Sequence, residues 1–228
     1  TPIKSSAASD VYKRQEEDAT NGLMGAYADV RGLFSRDYYF DGQGEYVRVR
    51  DGSGSLSNTT TNITQGAAYK GGCYFPDPSY RFGAKFDTYY KFCYGGIHRV
   101  NYVIENTLKM IPNAKTEESK KKLETVIGEA RLLRGMIYFR LISMWGDVPY
   151  IDHVVYNQTE MDKIVRTSIA KIKDYIIEDF NYAFEKLPIK SEQIGRASKP
   201  AALAFKGKLE LYWACWNHFG WPELDTFT

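Results

Sequence analysis

The chain has 228 residues, 43% hydrophobic and 25% charged, enough for a packed core in one large domain or two small ones. Thirty basic residues against twenty-eight acidic leave a formal net charge of +2, which excludes a general electrostatic pull on nucleic acid or an acidic membrane. No apolar run reaches the length of a membrane span.

Residues 1–17 begin without Met, show no clear periodicity and no signal peptide, and read as a tail or a remnant of expression or sequencing. Residues 18–228 are expected to form one helical domain. Five segments in it carry apolar residues at helical spacing. In the first, Leu23, Tyr27, Val30 and Phe34 form a stripe after Asp18, a candidate N-cap.

Residues 41–83 break this pattern. They hold eight glycines and the polar run from Ser53 to Asn62, so they read as a long loop, a kind of segment that is functional or disordered. Its second half is aromatic: Tyr69, Tyr74, Phe75, Tyr80 and Phe82, with Arg81 among them. Such side chains either anchor the loop to the core or face outward as a platform. The whole chain is 15% aromatic, with eighteen tyrosines, and tyrosine offers an apolar face with a hydroxyl at its edge.

The second helical stripe is Phe86, Tyr90, Cys93, Ile97, Val100, Ile104, Leu108 and Ile111, stopped by Pro112. The third starts near Thr116, with Glu117 and Glu118 where the helix dipole favours acids. It continues through Leu123, Ile127, Ala130, Leu133, Ile137, Leu141 and Met144, and Gly146 and Pro149 end it. The fourth runs Ile169, Ile172, Ile176, Phe180, Ala183 and Leu187, capped by Thr167 or Ser168 and closed by Pro188. The fifth starts at Ser198, with Pro200 in its first turn, and follows Ala202, Phe205, Leu209, Tyr212 and Trp216. Segments two and three pair through a short turn, and four and five through a longer one. The expected fold is all-α, with tetratricopeptide-like helix pairs and a long irregular loop between the first two helices.

Reactive chemistry is sparse. Cys73, Cys93 and Cys215 form no CxxC pair; Cys93 and Cys215 read as buried small hydrophobes and Cys73 as a free loop thiol. No phosphate-binding Gly-rich loop precedes a Lys-Ser/Thr pair. His98, His153 and His218 lack metal-ligand spacing, and His98 reads as a surface or satisfied core residue. Asp37, Asp41 and Glu45 contain the carboxylates a glycosidase needs, but read as a solvated acidic loop. Lys120, Lys121 and Lys122 with Glu117, Glu118 and Glu124 read as a solvated helix face. Glu129, Arg131, Arg134 and Arg140 either grip an anion or form internal ion pairs, and the second reading is preferred. No enzymatic role, metal or cofactor is expected.

The run Gly128-Glu129-Ala130-Arg131-Leu132-Leu133-Arg134-Gly135-Met136-Ile137-Tyr138-Phe139-Arg140-Leu141, followed by Trp145-Gly146-Asp147-Val148-Pro149-Tyr150, resembles the signature of the SusD/RagB family of Bacteroidota surface lipoproteins. Tyr94 to Asn106, Arg166-Thr167-Ser168 with Ile176 to Asp179 and Ala183 to Pro188, and Gly195 to Ala204 resemble further family segments in the same order. The resemblance covers roughly residues 18–217. It implies a tetratricopeptide-like scaffold, a lipid anchor, display on the outer membrane and docking on a SusC-like TonB-dependent transporter. It also implies capture of an oligosaccharide, with no nucleic-acid partner.

The chain departs from the family in lacking the lipobox Cys, in Pro200 where Gly is frequent, and in being considerably shorter. The family's motifs mark the scaffold, so the ligand residues are sought in the aromatic loop: Tyr69, Tyr74, Phe75, Tyr80 and Arg81. Oligopeptide capture by a RagB-like member and an intracellular helical-repeat scaffold are the alternative readings.

Overall fold

A computed structural model describes residues 3–34, 81–191 and 193–219, with side chains at 16–34, 89–191 and 193–218. The elements are α1 (Ile3–Phe34), α2 (Arg81–Met110), a 3-10 turn (Ile111–Asn113), α3 (Glu117–Trp145), β1 (Val148–Pro149), α4 (Gln158–Met161), β2 (Arg166–Thr167), α5 (Ile169–Lys186) and α6 (Lys199–Phe219). The all-α, tetratricopeptide-like expectation holds. The short α4 and the two-residue antiparallel ladder pairing Val148 with Thr167 and Pro149 with Arg166 were not expected.

Local chemistry sets the boundaries. The Thr116 side chain caps α3 by accepting from Ser119 N, and Ser168 caps α5 by accepting from Lys171 N. Thr167 belongs to β2 instead. Gly146 ends α3 at φ 66°, a left-handed conformation that glycine adopts without steric cost. Asp147 then accepts from Ile169 N at 2.7 Å, tying the exit of α3 to the start of α5.

Two boundaries correct the sequence reading. The first helix is continuous from Ile3, so Asp18 lies within it rather than at its N-cap, and residues 3–17 are helical. α2 begins at Arg81, so Arg81, Phe82 and Gly83 are helical rather than loop. The rest of the aromatic loop lies outside the described residues.

Two compact units divide the chain, Thr1–Ala28 with Gly96–Thr228, and Asp29–Gly95; α1 and α2 contribute to both. In the smaller unit Val30, Leu33, Tyr89 and Cys93 are buried, and a Cβ on Gly32 would stand 3.0 Å from Phe92 Cζ.

In the larger unit α3 is the central element. Its residues Leu123, Val126, Ile127, Ala130, Leu133, Ile137, Leu141 and Ile142 are buried. It lies antiparallel to α5: Gly128 meets Lys186 and Leu187, and Gly135 meets Phe180. α5 in turn packs antiparallel on α6, with Phe180 on Phe205 (ring centroids 6.2 Å apart), Lys206 bonded to Asn181, and Lys173 over the Trp213 ring. α1 runs parallel to α3, because Ser119 bonds Glu16 and Tyr27 bonds Glu129.

Two residues read as core are exposed. On α2 the buried stripe passes from Val100 and Ile104 to Thr107; at 100° per residue Leu108 lies about 80° round from Val100, and it is 48% exposed. Cys215 lies about 120° round α6 from buried Leu209 and is likewise exposed, whereas Cys93 is buried.

Candidate functional site

Tyr69, Tyr74, Phe75 and Tyr80 lie outside the described residues. Arg81 is the first residue of α2, and its side chain is also outside them. The described part of the molecule shows what the charged residues of the third helix do, and what they leave at the surface.

Arg134 and Asp179 form a buried two-pronged ion pair, Nε to Oδ2 at 2.8 Å and Nη2 to Oδ1 at 2.7 Å. The remaining Arg134 nitrogen, Nη1, donates to Asn101 Oδ1 at 3.0 Å and to the Asp152 carbonyl at 3.1 Å. Asn101, fully buried on α2, donates through Nδ2 to the carbonyls of Ile151 (2.9 Å) and His153 (3.0 Å). Burial opposes the Arg134 charge, but the Asp179 carboxylate outweighs it and the guanidinium is held above its ordinary pKa. The Tyr138 hydroxyl completes this grip, accepting from Ile151 N at 2.6 Å and donating to Ile151 O at 3.1 Å. Burial raises the Tyr138 pKa well beyond the usual phenol range. The Tyr150 ring lies 4.7 Å from that of Tyr138 and stacks on Tyr175 at 4.4 Å. Segment 151–153 is therefore clamped by its backbone.

A second ionic knot sits one and a half turns earlier on α3. Glu129, 1% exposed, takes Arg196 through Nη2 to Oε1 at 2.6 Å and through Nε at 3.1 Å. The Tyr27 hydroxyl donates to Glu129 Oε2 at 2.5 Å and accepts from Ala197 N at 2.8 Å. Burial, then the Glu129 charge, pushes the Tyr27 pKa far up. Arg131 adds a 3.8 Å ion pair to Asp179 and lies over the Tyr182 ring. The reading of these residues as internal ion pairs holds for Glu129, Arg131 and Arg134.

The clamped segment continues outward. Val154 N donates to Glu105 Oε1 at 2.6 Å, and Tyr156 N to Glu160 Oε2 at 3.1 Å. His153 lies between Asp152 Oδ1 (2.9 Å) and Glu160 Oε1 (3.0 Å), and the Asp152 bond is the first cause of its raised pKa. Asn157 caps α4 by accepting from Glu160 N. The Tyr156 ring is 68% exposed, with its hydroxyl 3.3 Å from Glu105 Oε2, and Tyr102, on α2 one turn before Glu105, is 52% exposed. Sequence reasoning passed over this patch. Spacing alone does not single it out: of the three positions between the stripe residues Val100 and Ile104, Asn101 and Val103 are buried and Tyr102 alone faces water.

No group of His, Cys, Asp and Glu among the described residues is arranged to hold a metal ion, and no described helix is long and apolar enough to cross a membrane.

Comparison with known proteins adds one family match and three relatives. Residues 51–211, more than half of the chain, match the family model SusD-like_3, described as starch-binding associating with outer membrane. SusD-like protein P2 of Formosa agariphila is 34% identical over 96 residues, 41% of this chain and 19% of that protein. A solved SusD homologue of Bacteroides thetaiotaomicron superposes with a TM-score of 0.67 at 25% identity, covering 92% of this chain and 37% of that one. A laminarin-binding SusD-like protein superposes with a TM-score of 0.62 at 26% identity, covering 86% and 40%. The chain spans about a fifth of the length of the curated relatives it matches.

Proposed function

Because this chain belongs to the SusD-like family, we propose that it serves to capture oligosaccharides at the cell surface and deliver them to a TonB-dependent outer-membrane transporter. The observation that carries the reading is the family match across residues 51–211, whose description joins starch binding to the outer membrane. The laminarin-binding relative supports a glycan as the ligand. In this reading a lipid anchor holds the whole protein at the membrane, and the transporter is SusC-like.

The reading is one of binding without chemistry. The ionised side chains of the signature are consumed in holding the scaffold: Glu129 holds Arg196, and Arg134 holds Asp179. Capture then falls to exposed aromatic faces, which stack on the C–H faces of sugar rings while neighbouring polar groups meet the hydroxyls. Tyr69, Tyr74, Phe75, Tyr80 and Arg81 are the proposed ligand residues, on composition and the family's layout.

The test is electrophoresis through gels containing neutral polysaccharides, with Tyr74→Ala and Tyr80→Ala compared with the parent chain. Weakened retention with an unchanged Tm is expected. A lowered Tm with full retention makes these residues loop anchors. Recovery of the protein in complex with a TonB-dependent barrel after mild solubilisation tests the delivery step, and its absence from such a complex counts against it.

A further inference from the structure

Three aromatic side chains are exposed among the described residues: Tyr102, Tyr156 and Phe184. Phe184 has a partner, because the Lys199 ammonium lies 5.1 Å from its ring centroid. Tyr102 and Tyr156 differ in belonging to one place. The Glu105 carboxylate links them: it follows Tyr102 by three residues on α2, on the same helix face, and meets the Tyr156 hydroxyl.

This patch is built rather than incidental. The carbonyls of Ile151, Asp152 and His153 are held by Asn101 and Arg134, the N–H of Val154 by Glu105 and the N–H of Tyr156 by Glu160. An exposed ring on a backbone fixed at so many points loses little further freedom when a ligand lands on it. Tyr102 sits on a helix and is equally pre-placed. Meanwhile the long 3.3 Å contact from Tyr156 leaves Glu105 Oε2 with acceptor capacity at the ring edges.

From this juxtaposition we infer that Tyr102 and Tyr156 form a further sugar-contact platform, built from residues other than those of the aromatic loop, at which Glu105 accepts hydrogen bonds from the hydroxyls of a neutral glycan. The inference rests on the glycan-capture reading. Flat apolar faces flanked by an acceptor match the alternation of C–H faces and hydroxyl edges in a sugar chain. A cationic peptide is the competing ligand, since ammonium and guanidinium groups also favour tyrosine faces and carboxylates. The sugar is favoured because the carboxylate charges here are already shared internally: Glu105 with Val154 N–H and Tyr156 O–H, and Glu160 with His153 and Tyr156 N–H.

The test is affinity electrophoresis of the intact protein in gels containing starch, laminarin, xylan, mannan or galactan, followed by the same gels with Tyr102→Ala, Tyr156→Ala and Tyr156→Phe. On whichever polysaccharide retains the parent, each alanine variant is expected to bind about tenfold more weakly, equivalent to roughly 1.4 kcal/mol. Tyr156→Phe keeps the ring and is expected to stay within about threefold. Should Tyr156→Ala fail to fold, Tyr102→Ala decides, since the Tyr102 backbone carbonyl, which accepts from Asn106 Nδ2, survives the change. Full retention of both alanine variants overturns the platform and leaves glycan capture standing. Failure of the parent to bind any of the five overturns both. Displacement from the gel by an arginine-rich peptide, with binding lost as salt rises, overturns the sugar assignment in favour of a cationic ligand.

Discussion

Gly135 on α3 and Phe180 on α5 touch so closely that a Cβ on the glycine would stand 2.5 Å from the ring's Cε1, inside any real contact distance. Phe180 is fully buried, and protein interiors are close-packed. Gly135→Ala is therefore expected to destabilise the protein by about 1–3 kcal/mol through overpacking, less what the better helix former returns. Gly207→Ala on α6 is the control, since nothing lies within 4 Å of its added Cβ. That change is expected to stabilise by up to about 1 kcal/mol. Chemical denaturation of both variants checks the pair, and equal effects would remove the packing explanation.

Removing one partner of the Arg134–Asp179 pair strands a buried charge. Arg134→Met and Asp179→Asn are each expected to cost about 3–5 kcal/mol, and Arg134→Lys to cost nearly as much, because an ammonium cannot reproduce the planar fork. The double change to Met and Leu is expected to cost much less than the two single changes added together. A double-mutant cycle that comes out additive would show that the pair does not act as a unit.

Tyr27→Phe removes only an oxygen, but that oxygen serves both Glu129 and Ala197 N. A loss of about 1–2 kcal/mol is expected, with faster amide hydrogen exchange at Ala197. Unchanged exchange there would mean that water replaces the hydroxyl without penalty.

His153 carries a pH dependence of known sign. The Asp152 bond, followed by Glu160, raises its folded-state pKa above the ordinary 6.5. The stabilisation this supplies is complete below about pH 6.5 and fades as pH climbs through the folded-state value. An NMR titration of the imidazole is expected to place its midpoint above 6.5, and His153→Gln is expected to flatten the Tm-versus-pH curve on the alkaline side of that point. A midpoint at or below 6.5 would contradict the geometry.

Much of the helical frame could be read from residue spacing. The stripes of α3 and α5 correspond to buried residues except at half-buried Met144, and the caps at Thr116 and Ser168 are where side-chain chemistry puts them. Periodicity reports which face of a helix is apolar, so it found Ile127 and Ile176. It could not say that Glu129, one step from an apolar stripe, would be as buried as its neighbours, because that depends on Arg196 arriving from 67 residues away. The strand pairing of Val148 with Thr167 escaped for a related reason: two-residue ladders have no period. Tyr102 and Tyr156 are far apart in the chain, and only the backbone clamp on 151–156 brings them to one patch. The aromatic loop gave composition but no geometry.

That clamp has an evolutionary corollary. Asn101, Arg134 and Tyr138 grip main-chain atoms of Ile151, Asp152 and His153, not their side chains. Those bonds make no demand on the side chains of Asp152 and His153, which are exposed like that of Tyr156 further along, whereas Ile151 and Val154 are buried and must stay apolar. One buried mount can thereby carry interchangeable exposed fittings, so a side chain such as that of Tyr156 can be exchanged at little cost to the frame beneath it.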